Sequence, residues 1–166
     1  MEQTMVYELR SPKGIRIKHI QETDIIPVSD GFRKEGCPIF ENRFLPEDLC
    51  IDLDAIQKRA AQRNHTAPRA SADFLFCVDK CRVLFADAKF KCEKVKNIDK
   101  KEIADKKNES RSLINDDEYY VLNDFYLLFK KSVLNNQAKG YLKRMFKGSP
   151  KFHFLNGMEF SELFGR

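Results

Sequence analysis

Two aspartates and a lysine stand at the ends of two apolar segments of this chain. Asp73 opens the segment of residues 73–78, and Asp87 and Lys89 lie near the end of the segment 82–90. Two carboxylates can hold a Mg²⁺ ion, which prefers oxygen ligands and retains several waters. A lysine beside such an ion can orient an attacking water or offset charge on a phosphate. The residue types therefore predict metal-dependent hydrolysis of a phosphodiester bond.

An antiparallel hairpin would bring these three side chains together. The two apolar segments are separated by the short polar connection Asp79-Lys80, which favours a tight turn. Side chains alternate between the faces of a strand, so Asp87 and Lys89 share one face of the second strand. That face carries Val83, Phe85, Asp87 and Lys89, and the other carries Leu84, Ala86, Ala88 and Phe90. Asp73 begins the paired strand and can therefore approach Asp87.

The segment resembles a known nuclease signature. Ala72-Asp73, followed after thirteen residues by Asp87-Ala88-Lys89, is similar to the PD-(D/E)xK motif of the restriction-endonuclease-like superfamily, with alanine in place of proline. The surrounding SADFLFCVDKCRVLFADAKFK has the same order of strand, turn and strand. The resemblance implies an α/β (α+β) fold, a mixed β-sheet flanked by helices with an αβββαβ core. It also implies that Asp73 and Asp87 bind Mg²⁺ or Mn²⁺ and that Lys89 assists catalysis.

The same family often adds an acidic metal ligand from the helix that precedes the signature. Proline and acids at residues 46–48 predict the start of a helix, and apolar residues recur at helical spacing up to residue 61. The candidate ligands by position are Glu47, Asp52 and Asp54, with Glu41 just upstream. The sequence does not choose between them.

The other predicted elements complete a mixed sheet flanked by helices. Helices are predicted over residues 98–113, 131–147 and 158–164, and strands over residues 119–123, 126–128 and 152–155. We interpret residues 1–166 as one domain. It comprises a loop-rich N-terminal extension (1–45) with a hairpin pairing residues 6–9 with 15–18, a nuclease core (46–128) and a basic C-terminal part (129–166).

Basic residues are concentrated in the second half of the chain. The net charge is +5, residues 130–151 hold seven basic and no acidic residues, and residues 89–111 hold nine basic and five acidic ones. Such blocks are typical either of a face that binds a polyanion or of a solvated lysine-rich surface. The candidate nucleic-acid-binding residues are Lys91, Lys94, Lys139, Lys143, Arg144 and Lys147.

The five cysteines are odd in number, which argues against a disulfide framework in a chain without a secretory signal. We expect them to be core and hairpin residues. A weaker alternative is a metal-binding regulator that uses Cys77, Cys81 and Cys92. The pair Cys77 and Cys81 has a spacing found in some metal sites, but no second pair of cysteines or histidines lies nearby.

Two functions from different classes are compatible with these patterns. The first is a Mg²⁺- or Mn²⁺-dependent nuclease that acts on nucleic acid, with DNA preferred over RNA. The second keeps the fold but acts by binding a protein or nucleic-acid partner, and the chain leaves a homodimer open. No apolar run is long enough to cross a bilayer, and the first residues lack the layout of a signal peptide, so we expect a cytoplasmic protein.

Overall fold

A computed structural model of the protein describes residues 5–115, 117–148 and 151–166. Within these residues, a seven-stranded mixed β-sheet lies between two layers of helices. The strands are β1 (Leu9–Arg10), β2 (Ile25–Pro27), β3 (Leu49–Asp52), β4 (Phe74–Val78), β5 (Arg82–Ala88), β6 (Tyr120–Phe129) and β7 (Phe152–Asn156). The α-helices are α1 (Val28–Lys34), α2 (Leu53–Asn64), α3 (Lys100–Arg111), α4 (Asn136–Met145) and α5 (Gly157–Glu162).

The sheet changes from antiparallel to parallel pairing at β5. Its strands follow the order β2-β3-β4-β5-β6-β7, and β1 pairs with the end of β4 that β3 leaves free. The pairs from β2 to β5 are antiparallel, whereas β5-β6 and β6-β7 are parallel. Parallel neighbours need a long crossover connection, and α3 and α4 lie in these two connections. The mixed sheet flanked by helices confirms the fold class at this coarse level.

Each face of the sheet has its own hydrophobic core. On one face, Ile56, Ile103 and Leu142 bring α2, α3 and α4 onto alternate residues of the central strands. On the other face, Phe32 and Phe160 bring α1 and α5 onto the intervening residues. We call these the α2–α3–α4 face and the α1–α5 face. Because both faces are covered, the central strands are mostly apolar, although β6 carries Asn123 and Asp124 near its middle.

The predicted hairpin of β4 and β5 is confirmed. Phe74 is paired with Ala86, and Val78 is paired with Arg82. The turn between the strands uses Asp79 in the left-handed region, with φ of 55°. Val83 and Phe85 face α2–α3–α4, whereas Leu84 and Ala86 belong to the α1–α5 core.

The helix predicted to begin near residue 46 was placed too early. Residues 49–52 form the central strand β3, and the helix α2 begins only at Leu53. Cys50 and Ile51 are fully buried because β3 is covered on both faces. Asp52 caps α2 by accepting a hydrogen bond from the Ala55 backbone N–H at 3.0 Å. Tertiary pairing has therefore overridden a local signal for a helix start.

The hairpin predicted in the N-terminal extension is also wrong. Leu9 and Arg10 pair with β4, and Ile17 forms an isolated bridge with Ile114. Within the stretch predicted to be loop-rich, Asp30 and Gly31 are part of α1. A glycine suits this point of the helix because a Cβ on Gly31 would lie 2.7 Å from Phe74 Cε1. Long-range contacts thus order much of the stretch expected to be loop-rich.

The remaining predicted elements are present with shifted ends. The segments 119–123 and 126–128 form one strand, β6, whose pairing with β5 is irregular between Val83 and Phe85. The predicted helices 98–113, 131–147 and 158–164 are found in shorter form as α3, α4 and α5, and the strand 152–155 is found as β7. Among the helices of the described residues, none is both long and apolar enough to span a membrane.

Candidate functional site

The hairpin register brings Asp73 and Asp87 to the same end of the sheet. Phe74 is paired with Ala86, so Asp73, one residue before β4, lies opposite Asp87 on β5. Two hydrogen bonds fix the chain beside Asp73. Its carbonyl accepts from the Leu53 backbone N–H at 3.0 Å, and the preceding Ala72 N–H donates to the Ser110 hydroxyl at 2.8 Å.

Asp87 is a fully buried carboxylate held between two lysines. Lys106 of α3 places Nζ at 3.3 and 3.1 Å from the two Asp87 oxygens, and Lys89 Nζ lies 3.3 Å from Oδ2. The side chain of Lys89 is only 18% exposed, and that of Lys106 only 17%. A carboxylate without access to water is costly unless it is paired, so these two ammonium groups account for its burial.

Asp73 is half-buried and its carboxyl is close to that of Asp87. Its Oδ2 accepts a hydrogen bond from the Ala88 backbone N–H at 2.8 Å. Burial, followed by the charge of Asp87 and a hydrogen bond with it, raises the pKa of Asp73 to about 8. The Ala88 N–H acts in the opposite direction but does not offset these effects. At neutral pH Asp73 therefore holds its proton far more readily than an ordinary aspartate does.

Lys106 stays charged in this environment. Burial acts to lower the pKa of Lys106, but the charge of Asp87 and its hydrogen bond outweigh burial, so that the pKa is raised. With Asp73 protonated, the formal charges of Asp87, Lys89 and Lys106 sum to one positive charge. In this state the site carries no net negative charge, and Asp73 can supply a second negative charge for a bound cation only by losing its proton.

Two residues of this site were not identified from the sequence. Lys106 lies on the face of α3 that also carries the buried Ile103 and Ser110, and a lysine at such a position is the signal that could have found it. Glu35 directly follows α1, and its negative charge contributes to the raised pKa of Asp73. The sequence gives no signal for Glu35, because the composition of residues 46–48 predicts the helix before the signature there and not at α1.

The acids proposed as a further metal ligand are engaged elsewhere. Asp52 caps α2 and lies 3.6 Å from Lys34 Nζ. Asp54 forms an ion pair with Lys58 at 2.8 Å on the exposed side of the same helix. Glu47 is exposed and lies outside any helix. Its negative charge contributes to the raised pKa of Arg166.

Glu41, just upstream of those candidates, is buried and has a structural partner. Its Oε1 accepts a hydrogen bond from the Lys131 backbone N–H at 2.7 Å, directly after β6. Glu41 thus satisfies a backbone N–H that follows the strand, and this structural role explains why the carboxylate is buried. Of the acids in this part of the chain, Glu35 is the one whose charge acts on Asp73.

The predicted nucleic-acid-binding residues divide into two groups. Lys91 packs along Gly36, where a Cβ would lie 3.2 Å from Lys91 Cγ, and Gly36 follows Glu35 of the site. Lys94 is exposed, and a shallow groove separates it from the start of α4. On α4, Lys139 forms an ion pair with Glu159 at 3.4 Å. The other members of this group are exposed: Lys143, Arg144 and Lys147.

The donor set of the site fits a hard divalent cation. Among the described residues, no group of three or more histidine, cysteine, aspartate or glutamate side chains is arranged to hold a metal ion. Mg²⁺ nevertheless commonly uses one or two carboxylates and keeps water in its other positions. Burial and the nearby charge of Asp87 raise the pKa of Asp73, and a cation held between the two carboxyl groups would offset both effects.

The cysteines offer no comparable site. Each of the five is a free thiol, in agreement with the expectation that the chain has no disulfide framework. Cys77 is on β4, Cys81 is in the exposed turn that follows, and Cys92 lies beyond the opposite end of β5. Burial raises the pKa of Cys77 to about 12, which disfavours the thiolate that a metal requires.

The chain was compared with protein-family models, curated proteins and solved structures. No family model, no curated protein and no solved structure matches it. The geometry of Asp73, Asp87, Lys89 and Lys106 is therefore the basis for any assignment of function.

Proposed function

We propose that the protein is a metal-dependent nuclease that hydrolyses phosphodiester bonds in nucleic acid, with Asp73, Asp87 and Lys89 in its active site. The observation that carries the proposal is the meeting of two buried carboxyl groups and two lysines at one end of the β4–β5 hairpin. The order α1-β3-β4-β5-α3-β6 supports it, because it follows the αβββαβ order of restriction-endonuclease-like nucleases with α2 inserted.

Asp73 and Asp87 would hold Mg²⁺ or Mn²⁺, which supplies a bound water of lowered pKa and polarises the phosphoryl group. Glu35 is the acid best placed to add negative charge, directly or through water. Oxygen donors alone suit these hard cations better than zinc. Loading requires Asp73 to release its proton, so the affinity for the cation rises with pH up to about pH 8.

The two lysines take different roles in this proposal. Lys106, which contacts both oxygens of Asp87, keeps that carboxylate charged and oriented. Lys89 contacts a single oxygen and extends from the end of β5, so it is free to turn towards a phosphate or an attacking water. An ammonium there would offset negative charge that develops on the phosphate.

Nucleic acid would approach along the edge of the sheet that carries Lys91. Lys91 and Lys94 follow the active-site strand and are exposed, so they are the nearest candidates for phosphate contacts. The exposed basic residues of α4 would extend the same contact. Such contacts are not sequence-specific, and the affinity should fall steeply with salt concentration. DNA is the expected substrate, and the cytoplasm is the expected location.

A cleavage assay on purified protein tests this function. Single- and double-stranded DNA and RNA are incubated with Mg²⁺, with Mn²⁺ and with EDTA. We expect metal-dependent cleavage that Asp87→Asn and Lys89→Met each reduce by about two orders of magnitude or more. Lys58→Ala is the matched control, since its exposed ion pair with Asp54 lies outside the site. A folded protein that cuts no substrate with either cation would contradict the proposal.

One observation favours the alternative, a module that acts by binding. Ile39 and Phe40 are adjacent apolar residues with exposed fractions of 85% and 73%. Exposed apolar pairs of this kind are common where a protein partner binds. If the protein is folded but cuts no nucleic acid, we expect Ile39→Ser/Phe40→Ser to abolish partner binding while leaving the fold unchanged.

A further inference from the structure

A cavity of about 390 Å³ lies on the α2–α3–α4 face, away from the candidate active site. It is lined by the second half of α2 and by residues that follow α2 and α3, among them Ala60, Ala61 and Leu113. None of the active-site carboxyl or lysine side chains lines it. A volume in the range of roughly 300 to 1,000 Å³ is typical of sites for small molecules.

One buried amide at this cavity lacks a hydrogen-bond partner. Gln57 of α2 lines the cavity and is 5% exposed, and its Nε2 has no acceptor. In the part of the chain that the structure describes, no other buried side-chain nitrogen or oxygen is left in this state. A buried donor without a partner is costly, so an acceptor supplied from outside the protein would stabilise it.

The charged side chains that line the cavity are basic. Lys18 and Arg69 line it, and no acidic residue does. Arg69 is 3.4 Å from Glu109, but this pair is exposed and holds the guanidinium only weakly. The end of α2 contributes about half a negative charge, which the basic side chains exceed. The cavity therefore favours an anion.

Backbone contacts hold the walls of this cavity in place. The Lys18 N–H donates to the Leu113 carbonyl at 3.2 Å. The carbonyl of His19, a residue with φ of 66°, accepts from Arg59 Nη2 at 2.8 Å. Arg59 is itself held by Asp24 through bonds of 3.0 and 2.6 Å. A site that is already ordered binds its ligand at a lower entropic cost.

We propose that this cavity binds a small organic phosphate. The phosphate group would lie at the mouth, where Arg69 and Lys18 can bind it, since the planar guanidinium suits phosphate oxygens. The organic part would enter the cavity and present an oxygen or nitrogen acceptor to Gln57 Nε2. The proposal is independent of the nuclease activity, because it uses none of the residues of that site.

Calorimetric titration of the full chain in EDTA tests this proposal. The probes are the four nucleoside 5′-monophosphates, ribose 5-phosphate, inorganic phosphate and adenosine. We expect at least one of the organic phosphates to bind with a stoichiometry of one. Inorganic phosphate should bind at least 10-fold more weakly, and adenosine should not bind. A 5′-phosphorylated oligonucleotide will displace the ligand if the site takes the end of a nucleic acid, and will not if it takes a free metabolite.

Variants separate this site from non-specific binding of anions. Arg69→Ala should weaken binding at least 10-fold, and Gln57→Leu should do the same without lowering the melting temperature, because it removes an unpaired buried donor. Lys58→Ala on the exposed side of α2 removes an equal charge and should leave the affinity unchanged. Absence of saturable binding by every organic phosphate, or an affinity of Arg69→Ala and Gln57→Leu equal to that of the natural protein, would overturn the proposal.

Discussion

Replacing Asp73 with asparagine tests whether folding raises the pKa of Asp73. Burial, the charge of Asp87 and their hydrogen bond raise the pKa of Asp73 from 3.8 to about 8. Between these pKa values the folded protein binds more protons than the unfolded chain, so the free energy of unfolding falls as pH rises. Over pH 5 to 8, at about 1.4 kcal/mol per pH unit, the upper bound is roughly 4 kcal/mol. Water at the half-buried carboxyl should reduce the effect to about 2 kcal/mol.

Urea unfolding in EDTA between pH 5 and pH 9 measures this effect. Asparagine does not titrate, so Asp73→Asn should gain stability relative to the natural protein as pH rises to 8, and the difference should then stay constant. Asp54→Asn, at an ion pair on the surface of α2, is the control and should show no such trend. A difference between Asp73→Asn and the natural protein that is constant from pH 5 to 8 would refute the raised pKa of Asp73.

Three further predictions concern charge and packing. Lys106→Met should lower the free energy of unfolding in EDTA by about 1 to 3 kcal/mol, because Asp87 then keeps only the ammonium group of Lys89 beside it. In urea titrations, added Mn²⁺ should restore part of this loss. Gly31→Ala should lower the melting temperature, because its Cβ would lie 2.7 Å from an aromatic carbon of Phe74. Gly140→Ala in α4 is the control and should not lower it, because its Cβ would meet only Arg144 Nη1, at 3.4 Å. Asp48→Asn should lower the free energy of unfolding by about 2 kcal/mol near pH 7, and by progressively less as pH falls below 4. Burial acts to raise the pKa of Asp48, but the hydrogen bonds from Arg166 and the backbone outweigh burial, so that the pKa is lowered.

The closeness of Asp73, Asp87 and Lys89 could be predicted because it depends on local signals. Two apolar segments of similar length and a polar turn define the β4–β5 hairpin, and the alternation of side chains decides which of them share a face. These rules need no information about the rest of the chain. The pairing of Phe74 with Ala86 in the structure follows these rules.

The contributions of Lys106 and Glu35 could not be predicted in the same way. Each depends on how a helix packs on the sheet, which is decided by contacts between residues distant in sequence. The helix before β4 was misplaced because residues 46–48 have the composition of a helix start. The adjacent Cys50 and Ile51 are instead buried in a strand with β2 and β4 on either side. Pairing on both sides outweighed the local preference.

The central claim is that Asp73 and Asp87 together bind a divalent cation, and a crystal soaked in Mn²⁺ tests it most directly. We predict an anomalous difference peak about 2.1 Å from a carboxylate oxygen of each aspartate. At least one of the two lysine ammonium groups should have moved away from Asp87. A well-ordered site without such a peak, in which Lys89 and Lys106 both still contact Asp87, would contradict the claim.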